Sequence, residues 1–195
     1  MLKSKVSLKS LVHKSPFRRC LGIFIKRFLR KFSNKLVLDV GAGSSPYFSL
    51  VCNRVSLVIN PRCCPDVLGT IYHLPFRSEG VPVFLTTKVL ELLVHSALAL
   101  SEILCVLKKN GFLILSTRLI HSLHGLLDYY RCTKEALLML LRNEKFTPIY
   151  IAEDGGLLLL IAHSLLVRFS CILPTWYTTF FFLHSRKTRL NNALT

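Results

Sequence analysis

Acidic residues are scarce in this chain of 195 residues. It contains 10 aspartates and glutamates against 26 lysines and arginines, which gives a formal net charge of +16. No acid precedes Asp39. So positive a surface favours contact with polyanions or with an anionic membrane face. The charge concerns how the protein meets its partners and does not by itself indicate a reaction.

Several other features are also lacking. No two of the seven cysteines have C-x-x-C spacing, so the sequence gives no support to a zinc site or a thioredoxin-like site. Internal repeats, low-complexity linkers and a secretory signal are absent too. With 51% hydrophobic residues, the chain is far from the disordered class. We therefore expect one globular domain in the cytoplasm, with reduced thiols and no metal.

Residues 1–35 form a basic amphipathic segment. It holds eleven lysines and arginines, and apolar residues recur between positions 21 and 32 at helical spacing. Three interpretations are open: a helix packed beside the core, a helix on a membrane surface, or an organelle transit peptide. The first two are favoured because the segment leads into the first strand without a spacer that could be cleaved.

Apolar strands alternate with helices after residue 36, which predicts an α/β domain over residues 36–195 with a parallel sheet covered on both faces. The predicted strands are 36–40, 55–60, 66–69, 83–86, 112–117, 147–151 and 180–185, and the predicted helices are 46–51, 89–108 and 134–143. The run 156–174 is long and apolar. Because His163 and Arg168 lie inside it, we interpret it as a buried or interfacial helix rather than a membrane span.

A glycine-rich turn follows the first predicted strand, where Asp39 precedes Gly41-Ala42-Gly43. Glycines allow the backbone to bend tightly and a ligand to approach it, and a helix that follows offers free N–H groups. A dinucleotide-binding fingerprint requires a third glycine where this chain has Pro46. The turn therefore indicates a nucleotide-type ligand of another kind.

Four segments, in order, resemble the class I S-adenosylmethionine-dependent methyltransferases, in particular the methyltransferase type 11 group. They are Leu-Asp-Val-Gly-Ala-Gly-Ser-Ser-Pro-Tyr at 38–47, Gly-Thr-Ile-Tyr-His-Leu-Pro-Phe at 69–76, the helix and turn at 97–111, and Asp-Tyr-Tyr-Arg-Cys-Thr at 128–133. The resemblance covers about 36–155. It implies a Rossmann-like fold, a mostly parallel seven-stranded sheet flanked by helices, and S-adenosyl-L-methionine as the cofactor.

The resemblance also implies roles for particular residues. The methionine end of the cofactor would lie beside Asp39, Gly41, Ala42 and Gly43, the ribose beside Asn60, the adenine beside Thr70 and Ile71, and the reactive methyl beside Thr87 and Lys88. The segment 128–131 would lie over the acceptor. His124, Tyr129 and Tyr130 are candidate general bases for an acceptor that must lose a proton.

Some positions depart from the family pattern. Asn60 and Thr70 stand where the family has acids, Val81-Pro82 stands for Phe-Asp, and Lys88 and Leu92 replace Glu and His. Each charged hydrogen bond that is lost costs about 1.5–3 kcal/mol, so two losses weaken cofactor binding by roughly two to four orders of magnitude.

Two hypotheses about function follow. The first is a methyltransferase for a small-molecule or lipid-like acceptor, working in the cytoplasm or peripherally at a membrane. The second is a catalytically degenerate methyltransferase fold that serves as a membrane- or partner-docking module. Nucleic acid is disfavoured as a partner because no basic motif interleaved with aromatics is present. The sequence indicates neither the acceptor nor the oligomeric state.

Overall fold

A computed structural model describes residues 16–43, 51, 53–119, 128–154 and 180–187. His124, the apolar run 156–174 and most of the short helix predicted after the glycine turn lie outside these ranges. Among the helices that the structure does describe, none is long and apolar enough to cross a membrane.

Three helices and seven strands are described. The helices are α1 (Pro16–Leu29), α2 (Ser96–Val106) and α3 (Lys134–Asn143). The strands are β1 (Val37–Val40), β2 (Arg54–Val58), β3 (Val67–Leu68), β4 (Val81–Thr87), β5 (Leu107–Arg118), β6 (Phe146–Asp154) and β7 (Phe180–Lys187). Short 3-10 turns cover Arg30–Phe32, Pro61–Cys63 and Leu90–Leu92.

The strands form one sheet in the order β3-β2-β1-β4-β5-β7-β6. Strands β1 to β5 are parallel, and β7 runs antiparallel between β5 and β6. The predicted α/β architecture with a mostly parallel sheet is confirmed. Because the chain leaves β1 on one side and returns as β4 on the other, the order reverses at β1, and a crevice opens there at the carboxyl ends of the strands.

Alternate side chains of each strand face opposite sides of the sheet, and helices cover both sides. Helices α2 and α3 pack over Leu38, Val40 and Phe84. Helix α1 covers the other face, where it packs over Val37 and Val83. The residues it buries there, with the 3-10 turn that follows, are Leu21, Ile25, Phe28, Leu29 and Phe32. The described part of the amphipathic segment therefore packs beside the core, as one of the three interpretations expected.

The helix predicted over 89–108 was wrong at both ends. A 3-10 turn precedes α2, which begins only at Ser96, and β5 begins at Leu107. The Asn110-Gly111 turn lies inside β5. Leu107 pairs with Val81 and Phe112 with Val83, so the residues between form a bulge, with Asn110 at φ +61°. The register of the β4–β5 pairing therefore changes between Val81 and Val83. Pro82 lies between them and has no N–H to donate to the neighbouring strand.

Helix α3 has the predicted bounds. Thr133 accepts a hydrogen bond on its hydroxyl oxygen from the Ala136 N–H at 3.2 Å, which is the N-cap that the sequence predicts. The final strand was also predicted, and it extends to Lys187.

Candidate active site

The glycine turn lies at the carboxyl end of β1, beside the crevice. Gly41 and Gly43 have left-handed backbones, with φ +72° and +53°, which side chains with a Cβ rarely adopt. The Gly41 N–H donates to the Leu57 carbonyl at 2.9 Å. A Cβ on Gly41 would lie 2.2 Å from Cγ2 of Val89, whereas a Cβ on Gly43 would meet no described residue within 4 Å. Among the described residues the turn is thus packed at Gly41 and clear at Gly43, with the half-buried Ala42 between.

Asp39 lies under this turn and forms an ion pair. Its Oδ2 is 3.1 Å from Nε of Arg54, and both side chains are almost completely buried. The pair ties β1 to β2 on the face that α1 covers. The structure therefore gives Asp39 a supporting contact, while its predicted contact with a cofactor stays a prediction.

A second polar contact joins β2 to the segment before β3. Asp66 Oδ2 accepts from the Ser56 hydroxyl at 2.6 Å and from the Ser56 N–H at 2.7 Å. These hydrogen bonds lower the pKa of Asp66, and the bond from the Ser56 hydroxyl has the larger effect. The contact fixes the path of the chain just before the predicted adenine-binding loop.

The residues predicted to contact the ribose and the adenine follow β2 and β3, at the carboxyl ends of these strands. Asn60 is exposed, and its Oδ1 accepts from the Arg62 N–H at 3.0 Å, capping the turn Pro61–Cys63. Thr70 is half-buried and accepts from the Tyr72 N–H at 3.4 Å. Ile71 packs in the core, so only its backbone can contact a ligand. One lone pair of Asn60 Oδ1 is used locally, which leaves the second lone pair and the NH₂ group to contact a ligand.

A buried acid follows β4 and was missed by the sequence reasoning. Glu91 Oε2 accepts from the Thr117 hydroxyl at 3.2 Å, and Oε1 lies 3.4 Å from Nε of Arg118. Burial raises the pKa of Glu91, although Arg118 and Thr117 oppose the shift. The sequence did hold a signal for it: Glu91 matches the second glutamate of the family's Glu-x-Leu-Glu-His run, in a chain that has few acids.

The segment before α3 is fastened to Glu91 through the backbone. The N–H groups of Tyr129 and Tyr130 donate to the Glu91 carbonyl at 2.9 and 3.2 Å. Both terminal nitrogens of the Arg131 guanidinium, Nη1 and Nη2, donate to the Asp128 carboxylate. This contact raises the pKa of Arg131. The predicted acceptor-side segment therefore lies next to the residues that follow β4.

The two tyrosines differ in what their hydroxyls do. The Tyr130 hydroxyl donates to the Val94 carbonyl at 2.9 Å, so its proton is engaged within the protein. Both rings are partly exposed. Tyr130 is consequently a poorer candidate for a general base than Tyr129.

A cavity of about 610 Å³ opens beside Tyr130. Its lining is mostly apolar and consists of Val94, His95, Ser96, Ala97, Leu98, Tyr130, Cys132 and Leu140. Burial raises the pKa of the Cys132 thiol, which keeps it in the less nucleophilic form. The His95 N–H donates to the Tyr72 hydroxyl at 3.3 Å, so this wall adjoins the loop that holds Thr70. The size and lining suit an apolar ring or chain.

The carboxyl end of β4 carries a buried hydroxyl. Thr86 pairs with Val40 of β1, directly before the glycine turn, and Thr87 is the half-buried last residue of the strand. Among the described residues, nothing forms a hydrogen bond with the Thr86 hydroxyl. Buried hydroxyls normally have a partner, so this one is consistent with a ligand in the crevice.

No group of histidine, cysteine and acidic side chains within the described ranges could hold a metal ion.

No protein-family model and no curated protein matches the sequence. Solved structures do match the fold. A SAM-dependent methyltransferase from Archaeoglobus fulgidus has a TM-score of 0.63 at 13% identity, covering 93% of this chain and 100% of its own. A Burkholderia thailandensis 1,6-didemethyltoxoflavin N1-methyltransferase, with bound 1,6-didemethyltoxoflavin and S-adenosylhomocysteine, has a TM-score of 0.66 at 16% identity, covering 93% and 82%.

The [4+2]-cyclase SpnF is a third match, with a TM-score of 0.65 at 14% identity over 90% of this chain and 84% of its own. At such identities the likeness shows the fold, which is the Rossmann-like fold of SAM-dependent methyltransferases. One of these three structures is described as a cyclase. The same fold therefore carries more than one reaction, and the function must be argued from the site.

Proposed function

We propose that this chain is an S-adenosyl-L-methionine-dependent methyltransferase that acts on a small-molecule or lipid-like acceptor. The observation that carries the proposal is the glycine turn at the end of β1, where Gly41 and Gly43 are left-handed and no described side chain lies within 4 Å of a Cβ placed on Gly43. The Burkholderia enzyme of the same fold, which contains S-adenosylhomocysteine, adds support.

The crevice residues have the chemistry to hold such a cofactor. The turn Gly41–Gly43 would lie against its methionine part, the Asn60 amide would donate to the ribose, and the backbone at Thr70 and Ile71 would border the adenine. Thr86 and Thr87 offer hydroxyls from the end of β4. When bound, the cofactor supplies a methyl group on a sulfonium. The chain's task is to hold both reactants in line, which can supply a large part of the rate.

The cavity beside Tyr130 is the candidate acceptor site. Its apolar wall would bind an apolar ring or chain, and the exposed Tyr129 ring lies beside it in sequence. If the acceptor must lose a proton, Tyr129 and His124 are the candidate bases. The Tyr130 hydroxyl, engaged with Val94, would shape the site instead.

A second candidate function is a catalytically degenerate fold that serves as a docking module. Two observations favour it. The Asn60 acceptor oxygen is used within its own turn, and the Val89 side chain packs directly against Gly41. Both reduce the contacts that the crevice can offer a cofactor.

Calorimetric titration of the full chain with S-adenosylmethionine and S-adenosylhomocysteine separates the two functions. The Gly43→Asn variant places a side chain where the proposed cofactor would approach the turn, and asparagine tolerates a left-handed backbone. We expect the intact chain to bind, and this variant to lose binding with an unchanged melting temperature. Lys145→Asn is the matched control, because Lys145 is also left-handed, at φ +61°, and exposed. Absence of binding by the intact chain at millimolar cofactor would overturn the enzyme proposal.

A further inference from the structure

The outer face of α1 and the 3-10 turn that follows it carry cations near an exposed aliphatic side chain. Ile23 is 70% exposed, and Lys26, Arg27 and Arg30 are exposed too. Spacings of three and four residues place Ile23, Lys26 and Arg27 on one side of α1, and Arg30 is the first residue of the 3-10 turn. Within the described part of the chain, none of the three cations forms an ion pair, and α1 contains no acid. The opposite side of α1 is buried against the sheet.

Aromatic side chains join the neighbouring side of α1 to the edge of the sheet. The ring of Tyr150, on the edge strand β6, stacks on Phe24 with centroids 5.9 Å apart and lies 5.5 Å from Phe28. Tyr150 is partly exposed. Lys31 lies over the Phe28 ring at 5.5 Å, so a cation is held here as well. The exposed Tyr150 ring and the Lys31 cation therefore both lie against Phe28, where α1 meets β6.

We propose that this surface, formed by Ile23, Lys26, Arg27, Arg30 and Tyr150, docks the protein on an anionic phospholipid bilayer. Cations would contact the lipid phosphates, and Ile23 and the Tyr150 ring would reach the boundary between headgroups and acyl chains. Because the inner face of α1 is already buried against the sheet, the helix lies on the surface and does not insert.

The placement of Ile23 favours a bilayer over nucleic acid. An exposed aliphatic side chain on the same surface as three cations gains nothing from a phosphate backbone, whose binding is almost wholly electrostatic. In a bilayer the same side chain leaves water. The docking does not depend on methyl transfer, so its test needs no cofactor.

The test is sedimentation of the full chain with vesicles. We expect binding to phosphatidylcholine vesicles that contain phosphatidylglycerol, and little binding to pure phosphatidylcholine. Each cation near an anionic surface contributes roughly a fivefold gain in partitioning, so Lys26→Glu/Arg27→Glu/Arg30→Glu should weaken binding roughly 100-fold or more. The control Arg77→Glu/Lys108→Glu/Arg142→Glu makes the same charge change at exposed residues elsewhere and should weaken binding much less.

A second pair of variants tests the apolar contact. Ile23→Ser should lower vesicle binding several-fold and leave binding to a generic RNA unchanged. Met139→Ser is matched to it, because Met139 is 62% exposed on α3, and it should have no effect. Equal losses from the two charge-reversal triples, or equal binding to both kinds of vesicle, would overturn the proposal. So would a triple reversal that abolishes RNA binding and spares the vesicles.

Discussion

The carboxylate of Glu91 lies 3.4 Å from Nε of Arg118, where the side chains are 2% and 10% exposed. The contact joins the segment after β4 to the last residue of β5, at the edge of the sheet where the crevice opens. A buried ion pair is costly to break, because removal of one partner leaves the other as an uncompensated charge. This relationship gives the first prediction.

Replacement of the buried acid, Glu91→Ala, should lower the free energy of unfolding by about 3–5 kcal/mol, since the buried Arg118 and Thr117 would both lose the carboxylate that they face. Urea unfolding measures the loss. Glu79→Ala is the matched control, because the Lys109–Glu79 pair, 3.6 Å long, lies at the surface and is worth about 0–1 kcal/mol. Equal losses in the two variants would contradict the prediction.

The close contact between Gly41 and Val89 gives a second prediction. Gly41→Ala places a Cβ 2.2 Å from the Val89 methyl and strains a left-handed backbone, so it should cost about 2–4 kcal/mol. Thermal unfolding should show that the double variant Gly41→Ala/Val89→Ala is more stable than Gly41→Ala alone. Gly43→Ala, whose Cβ meets no described residue, should cost only the backbone strain, about 1–2 kcal/mol. A Gly41→Ala variant as stable as Gly43→Ala would show that Val89 does not pack there.

Two buried threonines on adjacent strands should differ in how much stability they lose when each is replaced by valine. Thr117→Val removes the hydrogen bond to Glu91 and should cost about 1–3 kcal/mol. Thr86→Val removes a hydroxyl that has no partner among the described residues, so stability should stay within about 1 kcal/mol or rise. Chemical denaturation of both variants makes the comparison. If the Thr86 hydroxyl contacts the cofactor as proposed, Thr86→Val should also weaken S-adenosylmethionine binding in calorimetry.

The Ser56–Asp66 contact predicts a pH dependence. Its hydrogen bonds lower the pKa of Asp66 in the folded state, so its contribution to stability is present above the ordinary aspartate pKa and is lost as pH falls through the lowered value. Asp66→Asn should therefore be less stable than the intact chain by about 1 kcal/mol above pH about 5. The gap should narrow as pH falls below about 4 and close only once pH has passed through the lowered pKa of Asp66. A gap that stayed constant across this range would mean that Asp66 does not titrate differently on folding.

Local patterns predicted the elements that local chemistry determines. The α3 helix begins where Thr133 caps it, and the glycine turn has the left-handed backbone that its composition predicts. The helix over 89–108 failed because leucines recur throughout that stretch, and periodicity in an apolar run does not distinguish a 3-10 turn or the start of a strand from a helix.

Burial of Glu91 could not be predicted in the same way. Its partners, Thr117 and Arg118, come more than 25 residues later in the chain, and only the pairing of β4 with β5 brings them together. The capping hydrogen bond of Asn60 was easier to predict from the sequence, since Asn-Pro is a frequent start of a turn. The resemblance assigned that side chain to a ligand, whereas its oxygen caps the following residues.

The position of β7 has a consequence for how the nascent chain matures. Within the described strands, β6 pairs only with β7, and β7 is the last of them to be synthesised. While the ribosome is still making residues 180–187, β5 has one open edge and β6 has no partner strand. Open edges are templates for pairing with other chains. Premature termination before this strand should therefore yield an aggregation-prone product, and completion of the sheet has to follow synthesis of its final strand.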